Sequence, residues 1–325
     1  VLIMQAFVTG GTGLVGSRLI EALQLRGYKV LALVRSEEGS EKVRSLGAEP
    51  IFGDLDTVEL IHKGMVGCEV VFHAAASLFT GVSAATVRQI NVEGTRKVVE
   101  AAQLAGVSRL VYISAASVVV NGRPVLEVDE TYPIPTNVVG PYSRTKAEAE
   151  QVVLEANRPN FTTVAVRPPL IWGGPEDRTL SRLTEMAHKG QFTWFSGGHY
   201  PYVTCHVANV VEGAILAAEK GRGGEAYFLT DGPPLEFREI MSEMLRTQGI
   251  EPGKRSLPIW LASLMAAGVE SIWWLTRRKG TPPLTREIVA MMGPLWVNDI
   301  KARQELGYQA RLSRKQGLAG LVGAD

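Results

Sequence analysis

Along the first half of the chain, apolar positions gather into short, β-branched runs at 6–9, 30–34, 49–52, 70–73, 110–113 and 162–166. Several are apolar throughout, as strands covered on both faces should be. Between them, 14–26, 84–105 and 142–156 repeat apolar residues every three or four positions, which predicts helices, with Gly27 and Gly106 as stops. This alternation predicts an α/β fold with a doubly wound parallel sheet. From about Pro168, Pro, Gly and aromatic residues become denser and strands sparser. We therefore expect a sheet domain over 1–167 and, over 168–325, a smaller substrate-binding lobe with some elements returning to the sheet.

The pattern leaves two apolar stretches to place. The N-terminal VLIMQAFVTGG runs into glycines without a basic segment or a cleavage site, and reads as a first strand. The stretch 257–275 has about the length of a membrane span and is followed by Arg277, Arg278 and Lys279, but Glu270 interrupts it. A buried or lid helix is the favoured reading; peripheral membrane contact through 257–279 is the other. Composition narrows the rest. With 34 Lys+Arg against 33 Asp+Glu and no basic run, nucleic-acid binding is not expected. The two cysteines, Cys68 and Cys205, lie in no metal-ligand spacing, so neither a metal site nor a disulfide framework is expected. A reducing, cytoplasmic setting fits best.

Candidate chemistry begins at the first strand-to-helix junction, Gly10-Gly11-Thr12-Gly13-Leu14-Val15-Gly16. Glycines at this spacing allow positive φ, close approach to a pyrophosphate and tight helix-on-strand packing, while the helix start offers free amides to the phosphates. A nicotinamide dinucleotide is the expected ligand. The second strand ends in Arg35, where an acidic ribose partner would favour NAD. Arginine can hold a 2′-phosphate, so NADP(H) is favoured, with NAD(H) open through Glu37 or Glu38. Asp54 and Leu55 after the third strand, and Ala74, Ala75 and Ala76 after the fourth, sit where open α/β sheets bind ligands. Tyr142 and Lys146 share one helical face at i and i+4. The nearby ammonium is expected to lower the tyrosine pKa and make Tyr142 a general acid or base near neutral pH.

The ordered set TGGTGLVG, Gly53-Asp54-Leu55, His73-Ala74-Ala75-Ala76, Asn91-Val92-Glu93-Gly94-Thr95, ISAAS, Tyr142-x-x-x-Lys146 and Arg167-Pro168 resembles the extended short-chain dehydrogenases/reductases, within the NAD-dependent epimerase/dehydratase superfamily. The resemblance covers most of the chain. It implies a Rossmann fold with an NAD(P)-binding first domain, proton transfer by Tyr142 and ribose binding by Lys146. It also implies cofactor contacts at Asn91 and at Pro168, Leu170 and Ile171. The chain departs from the family pattern after Ser114, where Ala115 replaces the usual hydroxyl. Ser117 could present its hydroxyl if the segment stays extended, with Ser114 as the fallback.

The C-terminal half resembles the 3β-hydroxysteroid dehydrogenase-like branch, which implies a bulky apolar substrate. Trp260, Met265, Trp273, Trp274, Met291 and Met292 suit a greasy pocket or lid. The expected activity is hydride transfer between the nicotinamide and a secondary alcohol or ketone, of 3β-hydroxysteroid or long-chain β-keto type. A nucleotide-sugar epimerase or dehydratase is the rival, and would need a basic lobe to which Arg178, Arg182 and His199 could contribute. A non-catalytic NADP-binding sensor is the alternative of another class, which Ala115 favours and the Tyr142/Lys146 pair opposes. The family also makes a homodimer an open expectation.

Overall fold

The apolar runs pair side by side as β1 (Gln5–Thr9), β2 (Lys29–Val34), β3 (Glu49–Phe52), β4 (Val70–His73), β5 (Arg109–Ile113), β6 (Thr162–Arg167) and β7 (Glu225–Phe228). They form one parallel sheet in the order β7-β6-β5-β4-β1-β2-β3. The structure, a computed structural model, describes residues 4–78, 82–276, 278, 280 and 282–322. Arg277 and Lys279 of the expected basic run lie outside the described residues. Strand order reverses between β1 and β4, so a crevice opens beyond their C-terminal ends, where a ligand belongs in such sheets. Two apolar cores fill the two faces of the sheet, one around Leu19, Val210 and Val211 and the other around Ile61, Val98 and Val153.

The six expected strands are present, and β7 joins them from the second half, with Tyr227 opposite Val166. Conversely, Val125–Val128 leaves the first half to pair with Leu295–Val297, in a small sheet that also holds Pro201–Tyr202 and Leu235–Glu236. A third core, with Trp172, Trp194, Phe237, Met241 and Met244, underlies that lobe.

The expected helix 14–26 is present as Leu14–Leu25 and ends before Gly27 at φ +80°. A Cβ at Gly27 would meet nothing within 4 Å, so backbone conformation alone asks for glycine there. The expected helix 84–105 is not continuous. It runs as Ala84–Arg88, a π-turn Gln89–Glu93 and then Gly94–Leu104. At the π-turn the Asn91 carbonyl accepts from Thr95 Oγ1 at 2.6 Å, competing with the regular ladder.

The apolar stretch forms the helix Ile259–Leu275 but is not buried, which corrects the buried half of the expectation of a buried or lid helix. Only Ala262 and Ala266 are buried, packed with Val289, while Trp260, Leu264 and Trp274 are 63%, 62% and 79% exposed. The physical reason is that this helix is apolar around most of its circumference yet docks through one narrow seam, so its remaining side chains face outward. Among the described residues no helix is long and apolar enough to cross a membrane.

Candidate active site

At the end of β1 the chain turns back under itself. Gly10 has φ +74°, and a Cβ there would lie 2.7 Å from the Ala75 amide nitrogen. One at Gly16 would lie 2.1 Å from the Gly10 carbonyl oxygen, and one at Gly11 would press on Ile20 at 2.9 Å. Protein packing therefore demands these three glycines. Gly13 differs: it is exposed, its φ is −93°, and a Cβ would approach nothing closer than 3.5 Å. The helix it starts has neither a side-chain cap nor an acidic residue in its first turn. Its first amides, around Leu14 and Val15, thus remain open to an anion. Thr12 is exposed beside them.

A buried polar chain joins this turn to the π-turn. The Ala75 amide donates to Thr9 Oγ1 at 3.2 Å, and Thr9 Oγ1 lies 2.6 Å from His73 Nδ1. On the other side His73 Nε2 lies 2.8 Å from Thr95 Oγ1, whose proton goes to the Asn91 carbonyl. Thr95 can then only accept, so the partners assign the proton to Nε2 and leave Nδ1 to accept from Thr9. Burial, helped by the charge of Lys146, pushes the His73 pKa down to about 3. The imidazole is a neutral strut. Asn91 itself is 1% exposed, and its side chain accepts from the Ser77 amide at 2.7 Å and donates to the Ser77 carbonyl and Thr145 Oγ1. It ties the loop after β4 to the helix Pro141–Glu155.

That helix brings Tyr142 and Lys146 to the end of β5. Lys146 is 2% exposed, donates to the Ile113 carbonyl at 2.5 Å and stands 4.1 Å above the Tyr112 ring. Burial pulls its pKa down to about 7, partly opposed by Glu150. Glu150 in turn holds Arg167 in a buried ion pair at 2.5 Å. The expected lowering of the Tyr142 pKa is not what the site produces. Burial, and then the charge of Glu287, raise the phenol above the ordinary tyrosine value. The phenol is taken out of water, the ammonium that could offset this is committed to the Ile113 carbonyl, and a carboxylate faces the start of the helix.

Ser114 and Ser117 lie in the same region, 4% and 6% exposed, and neither hydroxyl has a hydrogen-bond partner. Ser117 is not on an extended segment, as expected for its role, but inside the 3₁₀ turn Ala116–Val119. The Ala116 amide donates to the Pro168 carbonyl at 2.8 Å, which pulls the chain into that turn. Pro168 is buried and Leu170 and Ile171 are half-buried on the strand Leu170–Trp172, which pairs with Thr204–His206. At the other end of the crevice, Arg35 is exposed beyond β2, with no side-chain partner among the described residues. Asp54 is exposed and spends Oδ1 on the Asp56 amide and the Thr57 hydroxyl. Leu55 is half-buried against Gly94, and Ala74, Ala75 and Ala76 form the partly exposed wall next to Gly10.

Glu287, Thr9, His73 and Thr145 were missed in the sequence. Glu287 lies 144 residues from the amide it binds, and a lone glutamate in an apolar helix carries no local signal of such a partner.

Comparison with known proteins places this geometry. Residues 7–259 match the sequence model of the 3-beta hydroxysteroid dehydrogenase/isomerase family. The chain is 46% identical over 319 residues to a 4-hydroxy-2-methyl-3-oxo-4-farnesyl-3,4-dihydroquinoline-1-oxide ketoreductase of Stigmatella aurantiaca, covering 98% of this chain and 96% of that protein. It is 35% identical to a 2-alkyl-3-oxoalkanoate reductase of Stenotrophomonas maltophilia (strain K279a), covering 98% of each. In fold it is similar to the UDP-glucose 4-epimerase of Thermotoga maritima, with a TM-score of 0.76 at 21% identity, covering 98% of this chain and 97% of that one. The chain belongs to the 3-beta hydroxysteroid dehydrogenase/isomerase family, and it is an oxidoreductase on an extended short-chain dehydrogenase/reductase fold.

Proposed function

We propose that this enzyme reduces the ketone of a bulky apolar substrate, of β-keto or 3-ketosteroid type, with NADP(H) as cofactor. The observation that carries the reading is the meeting of Tyr142, Lys146 and the unpaired Ser114 and Ser117 hydroxyls at strand ends beside the glycine turn. The residues fit a dinucleotide: Gly13 is not demanded by protein packing, so what favours glycine there is close approach of a diphosphate to the backbone. Leu14 and Val15 would offer amides to it, and Ala74 to Ala76, Asp54 and Leu55 would flank the adenosine. Pro168, Leu170 and Ile171 would border the nicotinamide. Asn91, with its side chain committed within the protein, would shape the site without touching the cofactor.

When bound, the nicotinamide supplies the hydride. Tyr142, its phenol held protonated by its raised pKa, gives its proton to the ketone oxygen as the carbon takes the hydride. Ser117 or Ser114 donates a hydrogen bond to the same oxygen, and Lys146 orients the ribose. Arg35, exposed and without a side-chain partner among the described residues, favours NADP through the 2′-phosphate. The apolar wording of the two relatives' names, an alkyl oxoalkanoate and a farnesyl quinoline oxide, supports the substrate class. The sugar-nucleotide rival fits less well. Arg178 and Arg182 are exposed, and His199 already pairs with Glu236 at 3.0 Å.

We also propose that the exposed helix Ile259–Leu275 rests on a lipid surface, where its Trp side chains and the neighbouring Arg278 would lie at the headgroup level. Two unpaired, buried cysteines accord with a cytoplasmic enzyme.

The test is a fluorescence titration with NADPH and NADH, followed by long-chain β-keto esters, steroid ketones and nucleotide sugars. We expect tighter NADPH binding, narrowed in Arg35→Ala, and oxidation of NADPH by an apolar ketone. Tyr142→Phe should lower kcat by about 10²- to 10⁴-fold with NADPH affinity retained. Turnover of a nucleotide sugar alone would overturn the reading, and binding without any turnover would favour the sensor.

A further inference from the structure

The helix that carries Tyr142 and Lys146 cannot cap itself. Its N-cap is Gly140, at φ +82° and ψ 169°, a conformation essentially confined to glycine, so no Ser, Thr or Asp can stand there comfortably. Pro141 at the first position has no amide hydrogen. The next two amides, of Tyr142 and Ser143, are both taken by one side chain from far along the chain. The Ser143 amide donates to Glu287 Oε1 at 2.6 Å and the Tyr142 amide to Glu287 Oε2 at 3.3 Å. Glu287 is 2% exposed, and a Cβ at Gly140 would overlap it at 2.3 Å. The absence of a side chain at Gly140 is thus what admits the carboxylate.

Glu287 belongs to the helix Arg286–Met291, whose Val289 packs against Ala262 and Ala266 of the apolar helix Ile259–Leu275. The neighbouring Arg286 is gripped by Glu270 of that helix, through its amide at 2.8 Å and its guanidinium at 2.7 Å. One short segment therefore joins the outward-facing apolar helix to the start of the Tyr142 helix.

We propose that Glu287 is a positioning residue for the reaction, a cap supplied by the C-terminal lobe that fixes Tyr142 and makes its geometry depend on the seating of the apolar helix. This rests on the role proposed above for Tyr142. A cap on the amides of Tyr142 itself and of the next residue sets where the first helical turn lies, and a small displacement of a proton donor is costly to rate. The carboxylate also adds negative charge near the phenol. Among the described residues, Tyr112 on β5 also interacts with Tyr142, Lys146 on the same helix stands over the Tyr112 ring, and Arg144 acts on Glu287.

The experiment compares Glu287→Ala, Glu287→Gln and Glu270→Gln with the parent and with Tyr142→Phe. It reads kcat and KM for ketone reduction, the pH profile of alcohol oxidation, NADPH affinity and thermal midpoint. Glu287→Ala should lower kcat by about 10- to 100-fold while NADPH affinity stays within about threefold. Glu287→Gln keeps an acceptor but removes the charge, so the rise of oxidation rate with pH should move to lower pH. Glu270→Gln should lower kcat by about two- to fivefold, in the same sense as Glu287→Ala but less. An unchanged kcat in folded Glu287→Ala would overturn the proposal. If Glu287→Ala does not fold, an unshifted pH profile in Glu287→Gln overturns it instead. An active Tyr142→Phe would sink the underlying reading of Tyr142, a result distinguishable from either of these.

Discussion

The glycine turn and the apolar helix show two ways of building part of a site. Beside the glycine turn the hydrogen-bonded chain Ala75, Thr9, His73, Thr95, Asn91 runs through the protein interior without a gap. Three glycines of the turn are fixed by contacts below 3 Å. The helix Ile259–Leu275 is the opposite: it buries two alanines, leaves most of its tryptophan and leucine surface outside, and is held by a narrow seam, the grip of Glu270 on Arg286 and a bond from its first amide to Ser196. The first region is rigid because alternatives clash, whereas the second is held by little and can answer to what binds it.

The sharpest way to break this comparison is within the glycine turn itself. Gly16→Ala should destabilise the protein by several kcal/mol, about 3 or more, because its Cβ would meet the Gly10 carbonyl at 2.1 Å. Gly13→Ala should leave the thermal midpoint nearly unchanged and weaken NADPH binding at least about tenfold. If Gly13→Ala unfolds the protein, packing rather than a ligand explains that glycine. Next in size is the neutral imidazole. Since the folded state holds His73 near 3 against an unfolded value near 6.5, its contribution is present above about pH 6.5 and lost progressively toward about pH 3. Chemical denaturation across this range should be less pH-dependent in His73→Gln, and an unaltered slope would deny the strut its role. The smallest stability effect should come from Trp274→Ser, within about 0.5 kcal/mol, since 79% of the side chain is already exposed. Its loss should appear instead as weaker flotation with anionic vesicles.

The same contrast explains what could be read from the sequence. Six strands, the glycine turn and the Tyr142 helix were legible because period, apolar runs and turn residues act over a few positions. The break at Asn91 is not, because beside the local Thr95 bond to its carbonyl the side chain is held by Ser77 and Thr145 on other elements. Likewise the raised pKa of Tyr142 follows first from its burial and then from Glu287, a partner across space, rather than from Lys146 four residues on. Sequence leaves the apolar helix buried, a lid or on a membrane, because its composition says how much it wants a partner and not whether the chain supplies one. The sheet strand β7 returns from the second half as expected, whereas the strand Val125–Val128 goes the other way to a partner, Leu295–Val297, that no local pattern announces.

The two cysteines carry one more consequence. Cys205 lies in the core on one face of the sheet and Cys68 in the core on the other. Burial pushes the Cys68 thiol up to about 11 and raises Cys205 well above its ordinary value, so the native enzyme presents almost no thiolate to an alkylating reagent at neutral pH. Each sulfur becomes reactive only when its own layer opens. Mass-resolved alkylation therefore turns the pair into two built-in clocks, which tell whether the two sides of the sheet come apart together or one before the other.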